Sequence, residues 1–295
     1  MYEIKKALFS DKKKKLILDT DTYNEIDDQF AVAYAMLSTD KIDLLSINAA
    51  PFLNNRSISP EDGMEKSYDE IKRIIKLTDS NRKIPVFKGS KRFLADKKTP
   101  VVSPAAENII KTAMESDEKI YVAAIGAITN VASAILMQPE IINKIIVVWL
   151  GGNSHQSPNT HEFNMYQDIK ASQIIFDSGV PLVQIPCDGV CSALTTTIPE
   201  IEYYLKGKNE LCDYLVDIIK GYTNDPFCWS KVIWDISAIS CIIIPKSMEH
   251  VVIPTPIITD DGYYASDNAR NPMIYVRKLN RDAIYKDVFT RLINK

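Results

Sequence analysis

The sequence lacks the strong charge excess and the long apolar runs that define several classes of protein. Its 295 residues include 38 acidic and 35 basic side chains, which gives a formal net charge of −3. This near-neutral balance argues against a general nucleic-acid-binding protein, which usually carries a basic excess. No apolar run reaches about 18 residues, so no membrane-spanning helix is expected. The sequence therefore predicts neither a nucleic acid nor a membrane as a partner.

Histidine and cysteine are also scarce. The chain has three histidines, which leaves few candidates for histidine-based catalysis or for a histidine-rich metal site. Its cysteines are odd in number and lack the paired CxxC spacing of a zinc site, so we expect reduced, mostly buried thiols in a cytoplasmic protein. The N-terminal segment, residues 1–15, is rich in lysine but has no apolar stretch typical of a secretory signal. The cysteines are Cys187, Cys191, Cys212, Cys228 and Cys241.

What the sequence does contain is a regular alternation of apolar strands and amphipathic helices. Strands that are apolar throughout, separated by helices, indicate a mainly parallel sheet covered on both faces. No internal repeat, low-complexity tract or linker interrupts residues 1–295, so one domain is expected. The predicted strands are 14–18, 42–49, 120–125, 144–150 and 181–185, and the predicted helices are 27–37, 65–77, 104–115, 130–137 and 168–177.

The predicted fold class is α/β, with an open, mainly parallel, Rossmann-like sheet flanked by helices. The C-terminal third is expected to add a helical segment, 199–241, and a small β-rich region, 251–276. In open α/β sheets, ligands bind beyond the carboxyl ends of the strands. The segments that follow the predicted strands are therefore the candidates for a site, and they are 19–28, 48–55, 126–130 and 151–164.

The first of these segments is strongly acidic, with five carboxylates in the ten residues 19–28. A helix N-terminus favours acids in its first turn, which accounts for Asp27 or Asp28 individually. It does not account for Asp19 and Asp21, which follow directly from a buried strand. Like charges in a low-dielectric site raise one another's pKa unless a cation neutralises them. Oxygen ligands alone select a hard ion such as Ca²⁺ or Mg²⁺.

Three interpretations of this segment remain open. It could be a solvated acidic loop whose carboxylates cap the following helix. Asp19-Thr20-Asp21-Thr22 also fits the DxDx[TV] pattern of haloacid-dehalogenase-like phosphatases, in which Asp19 would be the nucleophile. The longer pattern, Asp19-Thr20-Asp21 followed by Asp27-Asp28 at the start of a helix, resembles that of the nucleoside hydrolases.

The resemblance to nucleoside hydrolases extends along the chain in family order. Residues 124–132 (AIGAITNVA) are similar to the family's GPLTNxA segment, and 147–152 (VVWLGG) to its MGG strand end. Residues 162–164 (EFN) match its EFN motif, and Asp235 falls where the family has a late aspartate. The chain departs from the pattern in its longer first loop, where residues 22–25 (TYNE) replace the common Pro-Gly.

The resemblance implies hydrolysis of the N-glycosidic bond of ribonucleosides, with a small-molecule nucleoside as the partner and a homodimer or homotetramer as the assembly. It implies a Ca²⁺ ion that holds the attacking water, with Asp21 as the general base and inversion at the anomeric carbon. The implied metal ligands are Asp21, Asp28, the main-chain carbonyl of Thr129, and Asp235. The implied substrate contacts are Asp27, Leu150, Glu162, Asn164 and an asparagine after the second strand, for which Asn54 is chosen while Asn48 and Asn55 stay open.

The chain differs from many family members at the leaving-group side. Trp234 stands immediately before Asp235, where the family often has a histidine that acts as the acid for the departing base. An indole is not a practical general acid, but its face can stack a nucleobase. Tyr222 and Trp229 are expected to complete an aromatic wall, which favours purine nucleosides and a role in purine salvage. The missing histidine also leaves open a non-catalytic member that binds nucleosides or sugars without turnover.

Overall fold

The structure is a computed structural model that describes residues 2–79 and 81–295. Its strands are β1 Lys14–Thr20, β2 Ile42–Ala49, β3 Val86–Lys88, β4 Ile120–Ala124, β5 Ile145–Leu150, β6 Leu182–Ile185, β7 Thr195–Thr196, β8 Lys231–Val232, β9 Met248–Pro254, β10 Ile257–Ile258, β11 Tyr264–Ala265 and β12 Pro272–Leu279. Its helices are α1 Tyr2–Leu8, α2 Asp28–Leu37, α3 Pro60–Thr78, α4 Pro104–Glu115, α5 Thr129–Met137, α6 Phe163–Tyr166, α7 Ile169–Asp177, α8 Ile198–Leu205, α9 Glu210–Lys220, α10 Ile236–Ile243 and α11 Arg281–Ile293. None of the described helices is both long enough and apolar enough to cross a bilayer.

Within the described residues, eight strands form one sheet in the order β3-β2-β1-β4-β5-β6-β12-β9. Every pairing is parallel except that of β9 with β12, which is antiparallel. The strand order reverses between β1 and β4, which places a crevice at the carboxyl ends of these two strands. The predicted α/β class with a mainly parallel sheet is confirmed.

Both faces of the sheet are buried because its central strands are apolar on both sides. Leu16 and Leu18 of β1 face the layer that contains α2, α3, α10 and α11, and Ile17 faces the layer that contains α4, α5 and α7. β1 lies at the centre of the sheet, so its last residues emerge from the middle of the core. This position explains how an acidic segment that follows β1 becomes buried.

The predicted elements differ from the structure mainly at their ends and in the C-terminal third. α3 begins at Pro60 instead of residue 65, because the Ser59 hydroxyl accepts the Asp62 N–H and caps the helix there. The β-rich C-terminal region is not separate from the sheet, since β9 and β12 complete its edge. The final helix, α11, was not predicted.

Candidate functional site

A cavity of about 470 Å³ opens at the carboxyl ends of the central strands. It lies where the strand order reverses, at the place where open α/β sheets bind ligands. It is lined by Asn24, Glu25, Asp27, Asn54, Ile125, Leu150, Asn153, Glu162, Phe163, Asn164, Cys187, Asp188, Trp234 and Asp235.

Three buried aspartates converge at one end of this cavity. One carboxylate oxygen from each of Asp27, Asp28 and Asp235 lies within 4.8 Å of the other two. The Thr20 hydroxyl donates to Asp28 Oδ1 at 2.6 Å, and the main-chain N–H of Trp234 donates to Asp27 Oδ2 at 3.0 Å. Asp27 precedes α2 and Asp235 precedes α10, yet neither side chain caps its helix. The helix-capping interpretation therefore fails for both residues.

Asp21 is fully buried, and neither of its carboxylate oxygens has a hydrogen-bond partner among the described residues. The backbone of Gly126, just after β4, packs directly against it. A Cβ atom at position 126 would lie 2.7 Å from Asp21 Cγ, so this position requires a glycine. An unpartnered buried carboxylate is costly unless something else satisfies its oxygens.

Burial and mutual repulsion raise the pKa of each carboxyl in this group. Burial is the larger cause in each case. The pKa of Asp28 is raised to about 7 and that of Asp27 to about 6, while the pKa values of Asp21 and Asp235 lie well above the usual range. The charge of Asp28 raises the pKa of Asp21 further. A hard divalent cation fits this donor set, because it would remove the repulsion and occupy the free oxygens of Asp21.

Asp19 has a different role from the other acids of the loop. Its carboxylate accepts a hydrogen bond from Asn130 Nδ2 at 2.9 Å, and burial raises its pKa to about 7 against the effect of Asn130 and Asn48. Asn130 also donates to the Ala49 carbonyl and accepts from Ser90, so it joins three strand ends. Asp19 is fully buried and does not line the cavity. The hydrogen bond from Asn130 gives Asp19 a structural role at the strand ends, which does not favour the phosphatase interpretation with Asp19 as the nucleophile.

Thr129 lies at the first residue of α5, next to this group of acids in the fold. Its hydroxyl donates to Asp168 Oδ2 at 2.6 Å, so its side chain is held in place by the loop before α7. The ligand role expected of its main-chain carbonyl stays a prediction.

Glu162 and Asn164 also line the cavity. The Glu162 carboxylate accepts main-chain N–H bonds from Gly152, Asn164 and Met165 at 2.7–3.0 Å. Asn164 Nδ2 donates to the carbonyls of Ile125 and Leu150, each at 3.0 Å. Asn164 is therefore locked by main-chain groups at the ends of β4 and β5, and Glu162 by Gly152 after β5 and by the first turn of α6, which it caps. Burial raises the pKa of Glu162, although these N–H bonds oppose the shift.

Of the three candidate asparagines after the second strand, Asn54 lines the cavity. Its Nδ2 donates to both the main-chain and side-chain oxygens of Asn24, at 3.2 and 2.6 Å. Asn48 is buried within β2, and Asn55 is exposed outside the cavity. The placement supports the choice of Asn54.

Among the predicted aromatic residues, Trp234 lines the cavity, whereas Tyr222 and Trp229 do not. These two rings lie 6.2 Å apart, and Tyr222 contacts Lys231, whose ammonium pairs with Glu25 on the cavity wall. Tyr222 is thus one layer outside the cavity, in a neighbouring cavity that shares Glu25 and Asn54. The expected aromatic wall is corrected: of its three members only Trp234 lines the cavity, and the other aromatic side chain there is Phe163.

None of the described residues that line the cavity is a histidine. His155 Nε2 lies 2.9 Å from Gln184 Oε1, and its ring packs between Tyr264 and Tyr275. His161 Nε2 lies 2.9 Å from the Asp261 carbonyl oxygen.

Several lining residues were not predicted from the sequence. Cys187 and Asp188 follow β6, so the rule that ligands bind beyond strand ends would have found them. Asn24 and Glu25 belong to the acidic loop itself. Lys231 lies behind Glu25 and had no sequence signal, because its place depends on how the C-terminal third folds back.

Comparison with known proteins agrees with this geometry. The family model described as inosine-uridine preferring nucleoside hydrolase matches residues 16–286. A pyrimidine-specific ribonucleoside hydrolase, RihB of Escherichia coli O9:H4 (strain HS), is 30% identical over 201 residues, which are 60% of this chain and 60% of that protein. The chain thus spans about 60% of the length of this curated relative.

Solved structures share the fold across nearly the whole chain. A plant nucleoside hydrolase, PpNRh1, superposes with a TM-score of 0.78 at 18% identity, covering 96% of this chain and 100% of that one. A purine-preferring ribonucleoside hydrolase from Gardnerella vaginalis gives a TM-score of 0.78 at 21% identity, covering 95% and 98%. From the family match, the chain belongs to the inosine-uridine preferring nucleoside hydrolase family.

Proposed function

We propose that the protein hydrolyses the N-glycosidic bond of ribonucleosides to give free base and ribose. The observation that carries the proposal is one cavity lined both by buried aspartates and by the rigidly held Glu162 and Asn164. The loop that supplies Asp27 to this cavity also contains Asp21, whose carboxylate oxygens are unpartnered among the described residues. The aspartates suit a cation and a reacting water, and Glu162 and Asn164 suit the hydroxyl groups of a sugar.

Ca²⁺ is the proposed metal, as the family resemblance implies, and the donor set suits it because every donor is a hard oxygen. Its proposed ligands are Asp21, Asp28, the carbonyl of Thr129, and Asp235. The free oxygens of Asp21 and the close approach of Asp28 and Asp235 support this assignment. When bound, the ion would supply a positive centre that orients water and ribose hydroxyls and makes that water more acidic.

The side chains of the chain perform the remaining steps. Asp21 takes the proton of the attacking water, whose oxygen bonds to the anomeric carbon as the bond from that carbon to the base nitrogen breaks. Asp27, Asn54, Glu162 and Asn164 bind the ribose hydroxyls. Their fixed carboxylates also stabilise the positive charge that develops on the sugar. Attack in one displacement inverts the anomeric centre.

The leaving base is held by Trp234, with Leu150 as an apolar neighbour in the cavity. We propose a preference for purines, because a bicyclic base covers more of the indole face than a pyrimidine does. Pyrimidine nucleosides are the second candidate, since a relative of this chain is a pyrimidine-specific ribonucleoside hydrolase.

The proposed function predicts release of ribose from inosine, adenosine, guanosine, uridine and cytidine in the presence of Ca²⁺, with the highest kcat/KM for the purines. Asp21→Asn, which removes the base but keeps its shape, should lower kcat by about 10²–10⁴-fold because general base catalysis contributes that much. Asp43→Asn changes an exposed carboxylate on β2 and should leave kcat unchanged.

Each outcome of this assay has a definite meaning. Wild-type turnover retained in Asp21→Asn would remove Asp21 as the base. Equal or faster turnover of uridine and cytidine would reject the purine preference. Binding of ribose by calorimetry without any ribose release would assign the chain to the non-catalytic alternative.

We further propose that residues 1–295 form one domain and that the protein assembles as a homodimer or homotetramer in the cytoplasm. The five cysteines carry free thiols, which is compatible with a reducing compartment. Sedimentation equilibrium of the purified protein tests the assembly, and a monomer would contradict it.

A further inference from the structure

A second cavity, which we call the amino-edge cavity, lies at the opposite edge of the sheet. It has a volume of about 680 Å³ and is lined by Ile4, Lys6, Ala7, Ser10, Lys12, Lys13, Lys14, Lys15, Glu118, Lys119, Tyr121 and Ile146. Three strands begin here: β1, β4 and β5. Their other ends reach the cavity that Asp27 and Asp235 line, which we call the acidic cavity. The two cavities are therefore separated by the length of the strands, about 20 Å for seven residues.

The rim of the amino-edge cavity is strongly basic in a protein whose net charge is −3. Six lysines line it, against one carboxylate, and among the described residues Lys15 and Glu118 form an ion pair across 3.8 Å. Lys14 is 8% exposed, and its ammonium donates to the Ser10 carbonyl at 3.0 Å. Six lysines against Glu118 and the nearby Asp11 leave an excess of positive charge, so this rim is suited to an anion.

The floor of the amino-edge cavity is apolar and includes one unsatisfied polar group. The apolar lining consists of Ile4 and Ala7 of α1 together with Tyr121 of β4, and the fully buried Ile146 of β5 lies behind them. Tyr121 is 4% exposed, and its hydroxyl has no hydrogen-bond partner among the residues that the structure describes. A buried hydroxyl without a partner costs stability, and a ligand atom can satisfy it. The cavity thus offers an apolar surface, one hydroxyl and a ring of positive charge.

We propose that the amino-edge cavity binds a small organic polyphosphate, with a flat apolar part against Ile4, Ala7 and Tyr121 and its phosphates among the lysines. A single negative charge would leave most of the ammonium groups unneutralised, and a purely inorganic anion would leave the apolar floor uncovered. A nucleoside triphosphate has the required chemistry, and the volume lies within the range of small-molecule sites. This site does not depend on the proposed hydrolysis, because it shares no residue with the acidic cavity.

The test is calorimetric titration of the full chain with ATP and with inorganic tripolyphosphate, at constant ionic strength and constant free Ca²⁺. We expect ATP to bind more tightly than tripolyphosphate. Lys12→Gln/Lys13→Gln should weaken ATP binding about tenfold, because it removes two charge pairs. The matched control, Lys97→Gln/Lys98→Gln, removes an adjacent lysine pair outside the cavity and should leave ATP binding unchanged.

Absence of ATP binding, or an equal effect of the two lysine-pair variants, would overturn the proposal. Tripolyphosphate that binds as tightly as ATP would overturn the organic part of it. Binding of RNA or of anionic vesicles without binding of ATP would overturn it in favour of a macromolecular partner or a membrane surface. Because binding is read out directly, these outcomes are distinct from loss of nucleoside hydrolysis.

Discussion

At the scale of single residues, Gly126 determines whether Asp21 can occupy its place. The backbone of Gly126 fills the space beside the carboxylate, and no side chain fits there. Asp21 in turn has two free oxygens, so its position is set by packing alone. The family motif predicted Asp21 from the sequence, but the dependence on Gly126 was not predicted, because it arises from the contact of β1 with β4.

Gly126→Ala should therefore impair the site without unfolding the protein. The added methyl group would lie 2.7 Å from Asp21 Cγ and would push the carboxylate out of position. Displacement of a catalytic group by about 1 Å costs on the order of 10²-fold in rate, and we expect a loss of kcat of that size together with a higher Ca²⁺ concentration for half-maximal activity. Measuring activity as a function of Ca²⁺ concentration gives both kcat and the Ca²⁺ concentration for half-maximal activity.

Gly221→Ala is the matched control for this substitution. The nearest atom to its added methyl group is 3.4 Å away, and the φ angle of −75° reported at this residue suits alanine. It should keep wild-type kinetics. If both alanine variants behave alike, the explanation based on the Asp21 contact is wrong.

At the scale of elements, the acidic loop between β1 and α2 is held by three residues from two other segments. Asn54 binds Asn24, Arg56 Nη1 donates to the Glu25 carbonyl at 2.8 Å, and Lys231 pairs with the Glu25 carboxylate. The charge of Lys231 also lowers the pKa of Asp27, against the larger effect of burial. The longer first loop thus has anchors of its own, including one from β8.

Lys231→Met should shift the pH profile of activity. The lysine lowers the pKa of Asp27, so its removal raises that pKa, and the acid limb of kcat/KM should move to higher pH. Lys220→Met, which removes an exposed lysine paired with Glu202, should leave the profile unchanged. If the acid limb does not move in Lys231→Met, Lys231 does not lower the pKa of Asp27 in the active protein.

At the scale of the whole molecule, the sequence predicted the α/β class, the central strands and half of the residues that line the cavity. These predictions succeed because they depend on local signals, namely the apolar periodicity of each element and the residues that follow each strand. The outer position of Tyr222, the role of Lys231 and the closure of the sheet edge by β9 were not predicted. Each depends on how the C-terminal third folds back, and adjacent residues do not determine that contact.

Removal of the metal should make the stability of the molecule depend on pH. Burial raises the pKa of Asp28 to about 7 and of Asp27 to about 6. Because the folded chain binds these protons more tightly than the unfolded chain, its free energy of unfolding should fall as pH rises from about 4 to about 7. Thermal unfolding in EDTA at pH 5 and pH 8 measures this.

With excess Ca²⁺ the decrease in Tm between pH 5 and pH 8 should be smaller than in EDTA, because the ion replaces the protons. Equal Tm changes with and without Ca²⁺ would argue against a metal at the aspartates. Protein diluted into EDTA and then returned to Ca²⁺ should regain the higher Tm.

The hydrogen bond from Trp234 to Asp27 joins positions 207 residues apart. This separation has a consequence for the order of events during synthesis and folding. The acidic loop emerges early, but Asp235 joins it only after most of the chain has been made and a very long loop has closed. An incomplete chain would carry the crowded acids without their last partner, so tight capture of a cation would be a late event that marks complete folding.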